Sequence, residues 1–187
     1  MRKIFAFIMT TLDGYYEGPN QEFDFWVVDE EFNRFAAEQL NEADTLVFGR
    51  VTYEGMAAYW PTQSAEQDDP GVAAKMNHLP KIVVSTTLAK AEWANTRIIR
   101  DDVAQRVAEL KQQPGKDIAI LGSSRLTVSL LKAGLVDEVR LMINPVVLGA
   151  GPSVFSGAGE KIRLRLLKTR PFDSGNVLLT YGPVSSV

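Results

Sequence analysis

Residues Asp117–Val128 read DIAILGSSRLTV, a short apolar run, then Gly122-Ser123-Ser124, then residues at helical spacing. Asp117–Leu121 does not alternate apolar with polar residues. A solid apolar run marks a strand buried on both faces, as in a parallel sheet covered by helices. The chain leaves that strand through three small polar residues. Glycine lets a backbone approach a ligand closely, and the free amides of a helix's first turn attract anions. Gly and Ser also suit a plain strand-to-helix turn, with Ser123 or Ser124 either capping the helix or donating to a phosphate oxygen.

The same layout repeats along the chain. Apolar runs at Lys3–Thr10, Thr45–Phe48 and Lys81–Ser85 read as further buried strands. Helical patterns lie between them. Phe32, Phe35, Ala36 and Leu40 form one stripe, with Asp29 as N-cap and Glu30 and Glu31 at the positive end. Val103, Val107 and Leu110 form a second after Asp102 as cap, with Gln105 three residues on. Leu126, Leu130 and Leu131 form a third, closed by Gly134 as the left-handed residue past the helix end. The C-terminal part changes style. Val139, Leu141 and Ile143 alternate with Glu138, Arg140 and Met142, and Ile162, Leu164 and Leu166 alternate with Arg163 and Arg165. NVLLTY follows a turn-rich PFDSGN, so an antiparallel hairpin on the edge of the parallel core is expected. The class is α/β with a mixed sheet, in one domain over residues 1–187.

Composition narrows the function. The 187 residues carry a formal charge of −3, with 45% hydrophobic and 23% charged residues. That balance argues against a general nucleic-acid binder, which needs a basic face. With no cysteine and one histidine, His78, thiol chemistry and multi-histidine metal centres are excluded. His78 reads as a loop or capping residue. The opening MRKIFAFIMTT is too short an apolar run for a signal peptide, and no stretch has the ~20 apolar residues of a membrane helix. A cytoplasmic protein is expected. No P-loop pattern is present, and the G-x-G at Gly149–Gly151 precedes a proline rather than a helix.

Three strand ends carry candidate chemistry: Gly49-Arg50 with Thr52, Ser85-Thr86-Thr87, and Gly122-Ser123-Ser124. Arg50 offers a fixed bidentate charge at a helix start, where the dipole disfavours it unless an anion is bound. In a parallel sheet these ends share one edge, where ligands bind in open α/β folds. One extended anion spanning them explains all three.

The order TLDG, VFGRVTYE, LPKIVVST and IAILGSSRL…LLKAGLVDEVRLMINPVVLGAGPSVF resembles the dihydrofolate reductase-like superfamily. Its nearest likeness is to the reductase domain of the bifunctional riboflavin-biosynthesis deaminase–reductase and its stand-alone relatives. The resemblance implies a mixed, mostly parallel sheet of about eight strands flanked by helices, with NADP(H) across the strand ends. Under it, Gly49, Arg50 and Thr52 contact the cofactor phosphates, and Ser85 and Thr86 meet the 2′-phosphate side. Leu121, Gly122, Ser123, Ser124, Arg125 and Leu126 form the turn gripping the pyrophosphate and nicotinamide half. Glu31 falls where dihydrofolate reductase carries its pterin-binding carboxylate, though a first-turn Glu also suits the helix dipole. Asp13 lies beside the expected nicotinamide, though Asp-Gly is also turn chemistry. Asp13, Glu31 and Tyr16 are the proton-handling candidates. Tyr59 and Trp60 either line a heterocycle pocket or simply bury area, and Arg125 and Arg97 are candidates for a substrate phosphate. The family's arginine just after the Leu-Pro is missing, with only Lys81 nearby, which argues against dihydrofolate. With no cysteine and one histidine, these residues are not expected to include the zinc deaminase that accompanies the riboflavin reductase. The expected activity is reduction of a small heterocyclic or carbonyl/imine substrate, in a homodimer paired through the C-terminal strands. A pyrimidine reduction of the riboflavin type and a non-catalytic NADP-binding module are the alternatives.

Overall fold

In a computed structural model describing residues 1–184, six helices flank one eight-stranded sheet. In chain order the elements are β1 (Ile4–Thr11), α1 (Glu30–Glu42), β2 (Ala43–Gly49), α2 (Arg50–Tyr59), α3 (Gln63–Asp68), α4 (Pro70–His78) and β3 (Lys81–Val84). There follow β4 (Thr96–Ile99), α5 (Val103–Gln112), β5 (Asp117–Leu121), α6 (Ser124–Lys132), β6 (Glu138–Asn144), β7 (Leu164–Pro171) and β8 (Val177–Pro183). The strand order is β4-β3-β2-β5-β1-β6-β8-β7. The first six strands of that order are parallel, and β8 pairs antiparallel with both β6 and β7. The expected mixed sheet with a C-terminal hairpin is thus present.

The strands read as solid apolar runs because each side of the sheet has its own cover. Phe5, Phe7, Phe48 and Leu121 meet Phe32, Phe35 and Leu40 of α1 and Met76 of α4. Ile4, Ala6, Ile118 and Ile120 meet Val107 and Leu110 of α5 and Leu130 and Leu131 of α6. Burying each such side chain contributes about 1.5–3 kcal/mol, which fixes the strand register.

Two helix ends follow their sequence signals. Asp29 caps α1, its carboxylate accepting from the Phe32 amide at 2.8 Å. Gly134, at φ 69°, closes α6, with its amide on the Leu131 carbonyl and the Leu135 amide on that of Leu130. The α5 start corrects the sequence reading. Asp102 is left-handed (φ 47°) and makes no side-chain cap bond, while Gln105 reaches Glu109 instead of back to the cap. β4 and the two short helices after α2 carry too little periodicity to be read from sequence.

The C-terminal alternation is real, but only part of it faces the core. Met142 is fully buried, whereas Leu141 and Ile143 are half-buried and Leu166 is 53% exposed. The register explains this. Met142 pairs with Leu178 on the α1 side, while Leu141 pairs with Leu179 on the other side, towards the sheet's end.

Lys81 begins β3 as one of the most deeply buried side chains, 1% exposed. Its ammonium donates to the carbonyls of Leu79 (2.7 Å), Met76 (2.8 Å) and Asn77 (3.1 Å), so it caps the C-terminal end of α4. It also lies 4.5 Å from the Trp93 ring centre. Burial lowers its pKa from the ordinary 10.5 to about 8. Between those values the unfolded chain binds more protons than the folded one, so stability rises with pH there. Urea denaturation should show this rise in wild type, and a Lys81→Met variant should lack that component of it. Parallel pH profiles for the two proteins would contradict the assignment.

Candidate functional site

Parallel strands end together. Gly49 at the end of β2 is level with Val84 at the end of β3, and Val47 with Ile120 of β5, two residues before Gly122. Gly49, Ser85 and Gly122 therefore share one rim, the carboxyl edge where ligands bind in α/β folds.

At that rim the starts of α2 and α6 are tied together. The Gly49 amide donates to the Ser123 hydroxyl at 2.8 Å, and the Ser123 amide donates to the Thr52 hydroxyl at 3.2 Å. The Ser123 hydroxyl in turn donates to the Leu121 carbonyl at 3.3 Å. Gly122 and Ser123 are both left-handed, at φ 59° and 55°. A side chain at Gly122 would place Cβ 3.1 Å from Thr52 Cγ2, so the turn needs glycine there. Ser123 bears the strain of its own backbone, offset by the bonds its hydroxyl makes. The first helical bond of α6 runs from the Thr127 amide to the Ser123 carbonyl. The amides of Ser124, Arg125 and Leu126 precede it, as those of Arg50, Val51 and Thr52 do in α2, and such first-turn amides lack intrahelical partners. Two positive helix ends thus sit side by side.

The side chains differ from their expected assignments. Neither Ser123 nor Ser124 caps α6 with its hydroxyl. Ser124 instead donates to the Val154 carbonyl and anchors the glycine-rich loop after β6. Ser85 accepts from the amides of Leu88 (2.9 Å) and Thr87 (3.2 Å), shaping the turn after β3, while Thr86 is exposed. Arg50 pairs with Glu54 at 2.9 Å, one turn along α2. Arg125 is exposed on the first turn of α6, beside Tyr16. Burial, then the charge of Glu17, raises the Tyr16 phenol above its ordinary range, against the pull of Arg125.

Both candidate carboxylates already have partners. Asp13 accepts from the Thr11 hydroxyl (2.7 Å) and from the amides of Gly149 (2.7 Å) and Leu148 (3.3 Å). The Thr11 bond, then those of Gly149 and Leu148, holds its carboxyl below the usual range. Asp13 thereby pins the loop after β1 to the loop after β6, as does the bridge between Tyr15 and Ser153. Glu31 accepts from the Asp173 amide (3.0 Å) and lies 3.6 Å from Arg170, so it ties α1 to the β7–β8 turn. Fully buried Asn144 and Asn176 hold Val27 from two sides and fix the crossing of the 12–29 segment. Asn144 and Asn176 escaped the sequence reading, and Ser124 reads there as a cap or ligand contact, since each acts through a distant backbone partner with no local signature.

Other candidates lie elsewhere. Tyr59 and Trp60 end α2, about 14 Å of helix from the rim. The Tyr59 hydroxyl donates to Asp68 at 3.0 Å, and the Trp60 indole N–H points at the Met56 sulfur. His78 ends α4 and Arg97 is the second residue of β4, both towards the amino edge of the sheet. A cavity of about 700 Å³ opens at that edge beside Arg2 and Arg97, but Arg2 is already paired with Asp44. A smaller one of about 330 Å³ separates α1 from Asp69 and Pro70. The rim itself is an edge suited to an extended ligand.

Gly122→Ala should lower stability by about 1–2 kcal/mol through its left-handed backbone. Adding Thr52→Ser, which removes the crowding methyl but keeps the hydroxyl, should recover part of the loss in urea denaturation. Unchanged stability in the single variant would contradict the close approach of the two turns.

Comparison with known proteins agrees with this architecture. The chain is 35% identical over 181 residues to the uncharacterized protein YyaP of Bacillus subtilis, covering 96% of this chain and 94% of that one. A pyrimidine reductase-like protein from Corynebacterium diphtheriae superposes with a TM-score of 0.70 at 14% identity, covering 99% of this chain and 93% of that one. Dihydrofolate reductase from Enterococcus faecalis, complexed with NADP(H), superposes with a TM-score of 0.64 at 17% identity, covering 98% and 97%. These likenesses establish a dihydrofolate reductase-like fold. The family model of the RibD C-terminal domain matches residues 2–178, and the chain belongs to that family.

Proposed function

We propose that the protein is an NADPH-dependent reductase of a small heterocyclic or carbonyl/imine substrate. One observation carries the reading: two helix starts locked together at the carboxyl rim by Gly49, Ser123 and Thr52. Their six first-turn amides suit a diphosphate, which is concentrated negative charge. The residues present fit NADP(H). Gly122 leaves the backbone uncovered, Arg125 adds a guanidinium, and Arg50 is released from Glu54 at little cost because an exposed pair is worth under about 1 kcal/mol. Ser85 and Thr86 lie beyond Gly49 along the same rim, where hydroxyls would meet a 2′-phosphate. When bound, the cofactor supplies a hydride.

The chain's own residues then place the substrate, exclude water and handle a proton. Asp13 is held ionised and serves as an acceptor for two loop amides, so it is poorly suited to donate. Glu31 is engaged with Arg170 and the Asp173 amide. Tyr16 keeps its proton at neutral pH and stands beside α6, which makes it the preferred donor of the three. Membership of the RibD C-terminal domain family favours an aminopyrimidine as substrate. Dihydrofolate is disfavoured because Lys81 is spent inside the fold and offers no charge to a glutamate tail.

Fluorescence titration tests the cofactor. NADPH should bind more tightly than NADH. Arg50→Ala should weaken NADPH by about 1.5–3 kcal/mol, the value of a charge-assisted hydrogen bond. Equal affinity for the two cofactors, or an Arg50→Ala variant that binds as wild type, would contradict the phosphate assignment. Following NADPH absorbance with aminopyrimidines, pterins, quinones and imines separates a reductase from a binding module, which would bind without turnover.

A further inference from the structure

We propose that the amino edge of the sheet, opposite the rim described above, holds a second ligand site that takes a flat organic monoanion through Arg97. The cavity at this edge has a volume of about 700 Å³, within the range of small-molecule sites. The first residues of β2, β3 and β4 build it, and Leu110 and Gln113 at the end of α5 wall it.

Strand register sets the floor. Arg97 pairs with Ile82 and Ile82 with Val47, so their side chains share the face that α5 covers. Ile82 is 1% exposed and Leu110 5%, whereas Arg97 on the next strand lies open. The cover of α5 therefore stops one strand short of the sheet's edge. It leaves a guanidinium beside an apolar shelf that Leu79 and Pro80 extend. A flat ring system fits such a shelf, with its charged group towards Arg97.

Charge selects the ligand. Arg2 is committed to Asp44, the Thr45 hydroxyl and the Lys116 carbonyl. The Lys81 ammonium is committed to the carbonyls of Met76, Asn77 and Leu79. Among the described residues Arg97 forms no ion pair, so it is the cation left for a ligand. Asp44, with its side chain 38% exposed, and the carbonyl end of α5 bring negative charge to the same cavity. One carboxylate matches the planar fork of Arg97. A phosphate monoester, doubly charged above neutral pH, meets added repulsion from Asp44. The site is separate from the rim. β3 is four residues long, which sets this edge about 13 Å from Ser85.

The inference is independent of the cofactor reading, and amide spectra of isotope-labelled protein test it with three probes built on one ring system. Naphthoate should give saturable shifts at Ile82, Arg97 and Gln113, with or without NADPH present. Naphthamide, which lacks the charge, should bind about tenfold or more weakly, the effect of losing a charged hydrogen bond. Naphthyl phosphate above neutral pH should also bind more weakly than naphthoate. Arg97→Gln, at an exposed position, should weaken naphthoate by a similar factor and leave naphthamide binding unchanged, and Arg97→Lys should recover part of the loss. The proposal would be overturned by an absence of saturable shifts at tens of millimolar naphthoate, by naphthamide or naphthyl phosphate binding as tightly, by an Arg97→Gln protein that binds naphthoate as wild type, or by competition between naphthoate and NADPH.

Discussion

A single hydroxyl organises the working end of this molecule. Ser123, at the end of the central strand β5, takes the amide of Gly49 at the end of the neighbouring strand β2. Its own amide goes to Thr52, one turn into the helix that Gly49 begins. The exchange turns two separate strand-to-helix corners into one rigid feature. It also forces two adjacent left-handed residues, of which only Gly122 is at ease there. Strain of this sort persists where the surroundings over-determine it, and here they hold two helix starts side by side. The parallel sheet makes this possible, since only parallel neighbours bring successive strand ends to the same edge.

Beyond that feature, several charged and polar groups hold backbone. Asp13 staples two loops, Glu31 ties α1 to the last turn, Ser124 holds the glycine-rich loop, and Lys81 caps α4 from inside. What remains uncommitted at the rim is first-turn amides, the exposed Thr86 and Arg125. Such a set recognises phosphate well and offers little charge to a substrate, in keeping with chemistry carried by a cofactor and a protein that contributes placement.

Much of the fold was legible because it rests on local pattern. Solid apolar runs gave four of the six parallel strands, β1, β2, β3 and β5, and β5 matched its expected bounds at both ends. The spacing of Phe32, Phe35 and Leu40 gave α1 and its buried face. The rim was legible too, since Gly49, Ser85 and Gly122 stand at strand ends whose direction follows from the fold class. Failures came where geometry overrides composition. Asp102 has the right side chain for a cap and the wrong backbone angle. Arg50 reads as a free charge but has Glu54 one turn away. Ser124 looks like a ligand contact, yet its partner lies 30 residues on. The alternation of Leu141 and Leu166 shows a sheet face without saying whether the core or another molecule covers it.

The most direct measurement is the amide spectrum of isotope-labelled protein titrated with NADPH. The amides of Arg50–Thr52 and Ser124–Leu126 should shift together and saturate at one affinity, with Ser85 and Thr86 moving alongside. Shifts confined to the amino edge near Arg97, or no saturable shift at millimolar NADPH, would contradict a dinucleotide site at this rim.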